Sequence, residues 1–552
     1  MYMPLLTRLQ ITDASLGKAR MQGEVVIAHD CLRELEATGC RVTRLTVRCA
    51  RLQSLLLRNS FMTFLVPSCP ELLHLDLTGC GKLSDSSLRS SLRRLPKLNS
   101  LHLAGNLLLT SETLREAITS LTNLEHLGLS GCIAVSLSVI PSFPMLRFLD
   151  LSCCDGLFAM SAMTALQSLT TLEQLVMDNC SLIEQVSLSL PQLSRLYLRG
   201  CRSLQHIFLD CPALEELQIG RRTPRGRGCA SLTTIYVASD RMESGCWRGF
   251  PALRFVKLSC PLLKSLDLSE CDALEDVVFD GLSNQQQRES GQALAQWEET
   301  LAQLSPLGCV KDNGCPRLEL LRADYCEGLS DVVLTSASLE TLSLTGCKGL
   351  RSVKLGCPSL TDLRLDECDR AESAVLAPVA VRAISLGTCP SLRALRLSGP
   401  RLARLDLKGC GLLSSLELDC PSLTSLDATF CSSLSDGALH GALCKSPPLV
   451  ELLLSACTSL GRGGLPLAGP LRALRRLDLS YTEVETVEPV VALCPALQSL
   501  SLASCSCLRE GALDSLVPAA SGAATGRVAM TALDASYCPL SSREVSRVLL
   551  TG

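Results

Sequence analysis

Residues 72–85 read LLHLDLTGCGKLSD, with leucines at 72, 75 and 77 and a cysteine at 80. The same spacing, L-x-x-L-x-L-x-x-(C/N), returns from Leu98, Leu124, Leu146, Leu172, Leu193, Leu263, Leu318, Leu339, Leu360, Leu402, Leu423, Leu449, Leu474 and Leu497. Weaker copies start at Leu6, Leu32, Leu52, Leu214, Val381 and Met530. Within each copy the alternation sends every second side chain to one face, so L-x-x-L-x-L reads as a short strand with two leucines turned inward. A single strand of this kind cannot bury its own apolar face. The copies must stack, each completing the core of the one before.

Composition agrees. The chain has 552 residues, 47% of them hydrophobic but only 3% aromatic, so its core is built from many similar leucine layers. The pattern is the leucine-rich-repeat signature. The expected fold is an α/β leucine-rich-repeat solenoid, or horseshoe, with a parallel inner sheet and short helices or strands on the outer wall. Net charge is −3, which gives no global pull toward nucleic acid or anionic lipid. The first residues, MYMPLLTRLQITDASL, carry no basic segment followed by a long apolar run, and no stretch of 18 or more uninterrupted apolar residues occurs. A soluble protein of the cytoplasm, the nucleus or both is expected, with no membrane partner.

The 31 cysteines recur with the repeat, mostly at its ninth position, where Asn106 stands once. A thiol is small, readily buried and a weak donor. The cysteines from Cys40 to Cys538 therefore read as one structural column of reduced thiols. Cys153–Cys154 and Cys505–Cys507 are too isolated and too closely spaced for a zinc site.

Repeat length predicts the outer wall. Steps of 26 residues from Leu72 to Leu98 to Leu124 leave room for helices at SDSSLRSSLRRL and TSETLREAITSL, each opened by a capping serine or threonine. From Leu318 to Leu423 the step is 21, with a second cadence at LRSVKLGCP, LRALRLSGP and LLSSLELDCP. There the outer wall is expected to be strand, with a helix returning at SDGALHGALCKS. Two segments interrupt the pattern: the basic loop RRTPRGRG (221–228), and the polar stretch 283–314, with a short helix expected around Leu294–Leu304. The organisation expected is a first solenoid arm over 1–282, a polar insertion loop over 283–314 and a second arm over 315–552.

The cysteine variant, with LTGCGKLSD, FCSSLSDGAL and CPSLTSL, resembles the cysteine-containing repeats of F-box/LRR proteins. The runs LKGCGLLSSLELDCPSLTSLDATFCSSLSDGAL, LRRLDLSYTEVETVEPV and LRELEATGCRVTRLTVRCARLQSLLLRNS are similar to the plant F-box/LRR-repeat 15 type. The resemblance spans nearly the whole chain except the insertion. It implies the substrate-binding part of an SCF-type E3 ubiquitin ligase receptor, acting in ubiquitin-dependent protein degradation. In that family an F-box binds a Skp1-type adaptor, which joins the cullin, and the repeats hold the protein substrate. No F-box is seen in these residues, and repeat register is already running at Leu6. Both ends are expected to be cuts in a longer chain, with adaptor and cullin binding through an F-box outside it. The alternative is a free-standing leucine-rich-repeat adaptor or scaffold without ligase association.

The third, fifth and seventh template positions are expected to face solvent and to bind a protein. Two sets of candidates follow: Arg195, Tyr197 and Arg199 on one strand; and Asp362, Arg364 and Asp366, with Arg404, Asp406 and Lys408 two layers on. Arginine and aromatic side chains are common interface anchors; the competing reading is a solvated face with internal ion pairs. Aspartates recur at the fifth position (Asp76, Asp150, Asp267, Asp406, Asp427, Asp478, Asp534), as repeat consensus or as an acidic stripe for a basic partner. His74, His102 and His126 lie on successive strands beside Asp76, either as a metal-binding or pH-sensitive patch or as plain surface histidines. Arg221, Arg222, Arg225 and Arg227 could meet a phosphate-rich ligand or keep their loop soluble. There is no G-x-x-x-x-G-K-(S/T), H-E-x-x-H or G-x-S-x-G. The expectation is a non-catalytic protein with no cofactor, no metal and no nucleic-acid partner.

Overall fold

The computed structural model describes residues 3, 5–12, 24–118, 121–132, 143–154, 160–220, 228–279, 309–311, 315–376, 379–445, 447–461, 469–513, 516 and 530–541. These form two compact units, Met1–Glu243 and Ser244–Gly552. Each is a leucine-rich-repeat solenoid built on one long parallel sheet.

In the first unit ten strands follow in chain order, from Arg8–Thr12 to Glu216–Gly220. The fourth template residue pairs with its own kind in turn after turn: Leu55 with Leu75, Leu75 with Leu101, Leu101 with Leu127. These leucines are fully buried, and each contributes roughly 1.5–3 kcal/mol. A slip of one residue would turn the whole row outward, so the leucine spacing also fixes the register. The second unit repeats the arrangement with twelve strands, from Ser244–Cys246 to Ala532–Asp534.

The outer wall follows repeat length. The expected helices form at Asp85–Leu92, Ser111–Ile118 and Asp436–Leu443. Ser84 and Ser435 cap the first and last, each hydroxyl accepting the N–H three residues on. Between Leu318 and Leu423 the outer wall is strand, as the second cadence predicts: Asp331–Thr335, Ser352–Gly356, Ser373–Leu376, Ala394–Ser398 and Ser415–Asp419, all parallel. Further outer strands lie at Glu24–Ala28, Arg44–Arg48 and Phe64–Pro67, and at Gln185–Leu188, His206–Asp210 and Thr234–Ala238. Two more helices, Met160–Gln167 and Glu488–Leu493, were not expected from the sequence. No helix among the described residues is long and apolar enough to cross a membrane.

The units divide between Glu243 and Ser244 rather than at the 283–314 segment. Within the second unit the long sheet runs past that segment without a break. Leu266 pairs directly with Leu321, and the Gly328 N–H donates to the Asp272 carbonyl at 2.8 Å. Gly328 packs so tightly on the backbone of 273–274 that a Cβ would meet the Leu274 oxygen at 2.7 Å. Residues Cys309–Lys311, inside the expected loop, pair as a strand with Asp331–Thr335. The helix expected at Leu294–Leu304 lies outside the described residues.

The cysteine column is a hydrogen-bonded one. The Cys410 thiol donates to the Leu386 carbonyl at 3.1 Å, and that of Cys431 to Leu407 at 3.2 Å. The acceptor is always the sixth residue of the turn before. Asn106 makes the same bond with its Nδ2, to the Leu77 carbonyl at 3.0 Å, and the Ser60 hydroxyl makes it to Ala37. After the 221–227 loop the column resumes at Cys229, whose thiol donates to the Leu198 carbonyl at 3.3 Å. A second column closes the outer strands. Cys69, Cys211, Cys357 and Cys420 reach the previous outer strand at longer range, 3.6–3.8 Å. No disulfide forms among the described residues.

Two outcomes follow. Cys410→Asn keeps a donor for the buried Leu386 carbonyl, whereas Cys410→Leu leaves it unsatisfied. The leucine variant is expected to unfold about 1–3 kcal/mol more easily than the asparagine variant in a denaturant melt. Replacing residues 283–308 by a short Gly-Ser linker should leave the thermal midpoint within a few degrees of the parent, because the turns on either side already stack on each other.

Candidate functional site

The strands of each long sheet end in a recurring tight turn with a recurring set of hydrogen bonds. The ninth N–H returns to the sixth carbonyl, as from Cys410 to Leu407 at 3.2 Å. The eighth N–H reaches the next turn, as from Phe430 to the Ser455 carbonyl at 2.8 Å. The seventh N–H is left over, and the fifth-position aspartate takes it. Asp76 accepts from Thr78, Asp406 from Lys408, Asp427 from Thr429 and Asp478 from Ser480, at 2.9–3.0 Å. Where the fifth residue is Tyr197, Ser343 or Ser385, a seventh-position aspartate of the previous turn takes over. Asp178 accepts from the Arg199 N–H, Asp324 from Thr345 and Asp366 from Gly387. The aspartate stripe is thus a capping device first. At Asp406, Asp427 and Asp478 the second oxygen accepts no bond from the described residues, so the charge remains on offer.

This turn places its eighth residue at positive φ, the conformation that favours glycine. Gly79, Gly105, Gly346 and Gly409 occupy it without cost. Elsewhere it is held by Asn59, Cys153, Asn179, Glu270, Tyr325, Glu367, Thr388, Phe430, Ala456, Tyr481, Ser504 and Tyr537, at φ 53–64°. Each bulky residue there carries roughly 1–2 kcal/mol of strain. The side chain extends over the next turn, and Gly346 makes room for it: a Cβ there would lie 2.3 Å from the Tyr325 ring. The signal for this row was the residue before each column cysteine, often glycine and otherwise unexpectedly large.

The candidates of the first unit are largely engaged with one another. Arg199 pairs with the buried Asp178 at 3.0 Å and stacks over the Tyr197 ring at 5.0 Å. The Tyr197 hydroxyl donates to Glu216 at 3.0 Å, and Arg195 approaches the same carboxylate at 4.0 Å. Burial and that acceptor push the Tyr197 phenol up. The three histidine rings stand in two different rows. His74 and His126 occupy the third position, while His102 stands at the fifth, opposite Asp76. Its ring bonds the Ser100 hydroxyl at 3.2 Å and fills the space a Cβ on Gly128 would need; His126 stacks on Phe148. Burial holds His102 below its ordinary value, against the pull of Asp76. Among the described residues no group of three or more His, Cys, Asp or Glu is placed to hold a metal ion. Arg221, Arg222, Arg225 and Arg227 lie outside the described residues.

In the second unit the predicted residues converge. Asp362, Arg364, Asp366, Arg404 and Asp406 line one open depression of roughly 530 Å³ on the long sheet, joined by Ser385, Asp427 and Glu451. Lys408 is not part of its lining. Arg364 pairs with Asp362 at 3.3 Å, and Asp366 accepts from Ser385 and Gly387. Arg404 makes no ion pair among the described residues. Five carboxylates face two guanidinium groups here, so the depression is acidic. It can hold a ligand by charge and hydrogen bonding.

Asp76 shows how the caps respond to acid. Burial works against its ionisation, but the Thr78 hydroxyl and N–H and the Arg58 guanidinium outweigh burial and hold it below the ordinary 3.8. Below that value the unfolded chain takes up the proton first, so stability is lost as pH falls through the folded value. Arg58→Gln removes part of the depression and is expected to flatten the fall of stability with pH below 3.8, read by denaturant melts across an acid series.

No family model matches the sequence. Among solved structures the chain is similar to the TLR13–ssRNA13 complex, at 17% identity and a TM-score of 0.24 over 97% of this chain and 80% of that one. It is also similar to a leucine-rich repeat protein from Bacteroides ovatus, at 13% identity and a TM-score of 0.25 over 70% and 79%.

Proposed function

We propose that this chain is a protein-recognition solenoid, the substrate-binding part of an SCF-type ubiquitin ligase receptor. It is non-catalytic, needs no cofactor and acts in the cytoplasm, the nucleus or both. The observation that carries the recognition role is the depression on the second unit. Residues chosen from the sequence as varied surface positions meet there with charge to spare, on the face of the sheet turned away from the leucine core. The ligase role rests on the resemblance of the repeat order to F-box/LRR receptors. Adaptor and cullin would join through an F-box outside these residues, leaving the repeats free for substrate. The intact gene product is expected to co-purify with a Skp1-type adaptor when the two are co-expressed. If it is recovered alone, the ligase role falls and a free-standing adaptor remains.

A further inference from the structure

Among the described residues of the second unit, five of the eight exposed large apolar side chains fall in one row; Val375, Val379 and Val450 lie elsewhere. Tyr325, Phe430, Tyr481 and Tyr537 are 49%, 57%, 58% and 90% exposed, and all stand at the eighth position. Leu412, 44% exposed, lies two residues beyond the column cysteine Cys410. All five border the same end of the long sheet, where its strands run out into the tight turns. In the first unit four of the nine exposed large apolar side chains among the described residues, Phe61, Leu107, Leu108 and Leu182, lie one or two residues beyond the ninth position. Single exposed apolar residues are ordinary, but a row of them along one edge is not. Three of the six tyrosines of the chain stand in this row. They hold a conformation that glycine adopts freely; Tyr325 packs half of its surface over Gly346, whereas at Tyr481 and Tyr537 little burial within the unit repays the strain. Such outliers point to a use outside the unit.

The chemistry beside the row identifies what it meets. Asp427 and Phe430 end one turn, and Asp478 and Tyr481 end another. Asp406, Asp427 and Asp478 each spend one oxygen on a backbone N–H and present the other unbonded. The adjoining depression carries more carboxylates than guanidinium groups. Apolar contact and unspent negative charge thus alternate along the edge.

We propose that this edge of the second unit docks an extended segment of a partner protein bearing lysine or arginine. Its apolar side chains rest on Leu412, Phe430 and Tyr481, and its cations lie over Asp406 and Asp427. This rests on the protein-recognition reading above and gives the partner its chemistry.

The test uses the purified chain with two fluorescent peptides, one alternating lysine with leucine and one alternating glutamate with leucine, read by anisotropy at low and physiological salt. The lysine peptide is expected to bind, more weakly as salt rises, and the glutamate peptide is not. Phe430→Gly with Tyr481→Gly should weaken binding at least about tenfold while the thermal midpoint holds or rises, since glycine relieves the positive φ. Asp406→Asn with Asp427→Asn keeps both capping acceptors and should remove most of the salt dependence. Equal binding of both peptides, or binding indifferent to these variants, overturns the proposal. So does a dimer in sedimentation that the double glycine variant dissociates, because the edge would then belong to a second copy. Loss of the adaptor with peptide binding intact removes only the ligase reading. Loss of peptide binding with the adaptor retained removes only this one.

Discussion

The sixth carbonyl of each repeat holds the stack together. It is buried at the end of a strand, and its two lone pairs need partners that water cannot supply. The ninth side chain of the following turn supplies one partner in most turns, and in several the ninth N–H of its own turn supplies another. The Leu407 oxygen receives the Cys410 N–H and the Cys431 thiol, both at 3.2 Å. The Leu77 oxygen receives the Cys80 N–H and the Asn106 amide. This bond between turns explains why cysteine, asparagine and serine share one position. All three are small and can donate, and a leucine there could not.

The parts of the fold that obey a period were legible in the sequence. The leucine ladder follows from its spacing, and the helices at Asp85–Leu92, Ser111–Ile118 and Asp436–Leu443 follow from repeat length and a leading serine or threonine. The helices that escaped lack such a signal. Glu488–Leu493 begins after Val487, which offers no side-chain cap, and Met160–Gln167 opens on apolar residues. Most outer strands of the first unit lie beside the weak copies at Leu6, Leu32, Leu52 and Leu214, whereas Gln185–Leu188 lies between the clear copies at Leu172 and Leu193, whose 21-residue step carried the same signal unread. The repeat carrying Ser244–Cys246 was missed because Gly245, Trp247 and Phe250 stand at its fourth, sixth and ninth positions in place of leucine, leucine and cysteine.

The candidate site was legible only as a set of surface positions. Sequence marked Asp362, Arg364 and Asp366 on one strand and Arg404, Asp406 and Lys408 two layers on, and the structure brings all but Lys408 into one depression. The same reasoning marked Arg195, Tyr197 and Arg199, which are tied to Asp178 and Glu216. The difference lies in the neighbouring turns: an oppositely charged residue within reach spends the charge, and its absence leaves the charge available. Spacing along one strand does not reveal which acids and bases face each other across two.

The thiol columns also govern what happens when the chain opens. Burial pushes the Cys154, Cys347, Cys431 and Cys457 thiols up to about 12, so at these sulfurs hardly any reactive thiolate exists while the turns are closed. Unfolding returns these sulfurs to water and to their ordinary acidity, close to many others along one chain. In air they would couple at random, and the mispaired chain could not restack. For these buried sulfurs oxidation waits on the opening of the chain, so a reductant protects refolding and the opening rate sets how fast the columns are lost in an oxidising medium.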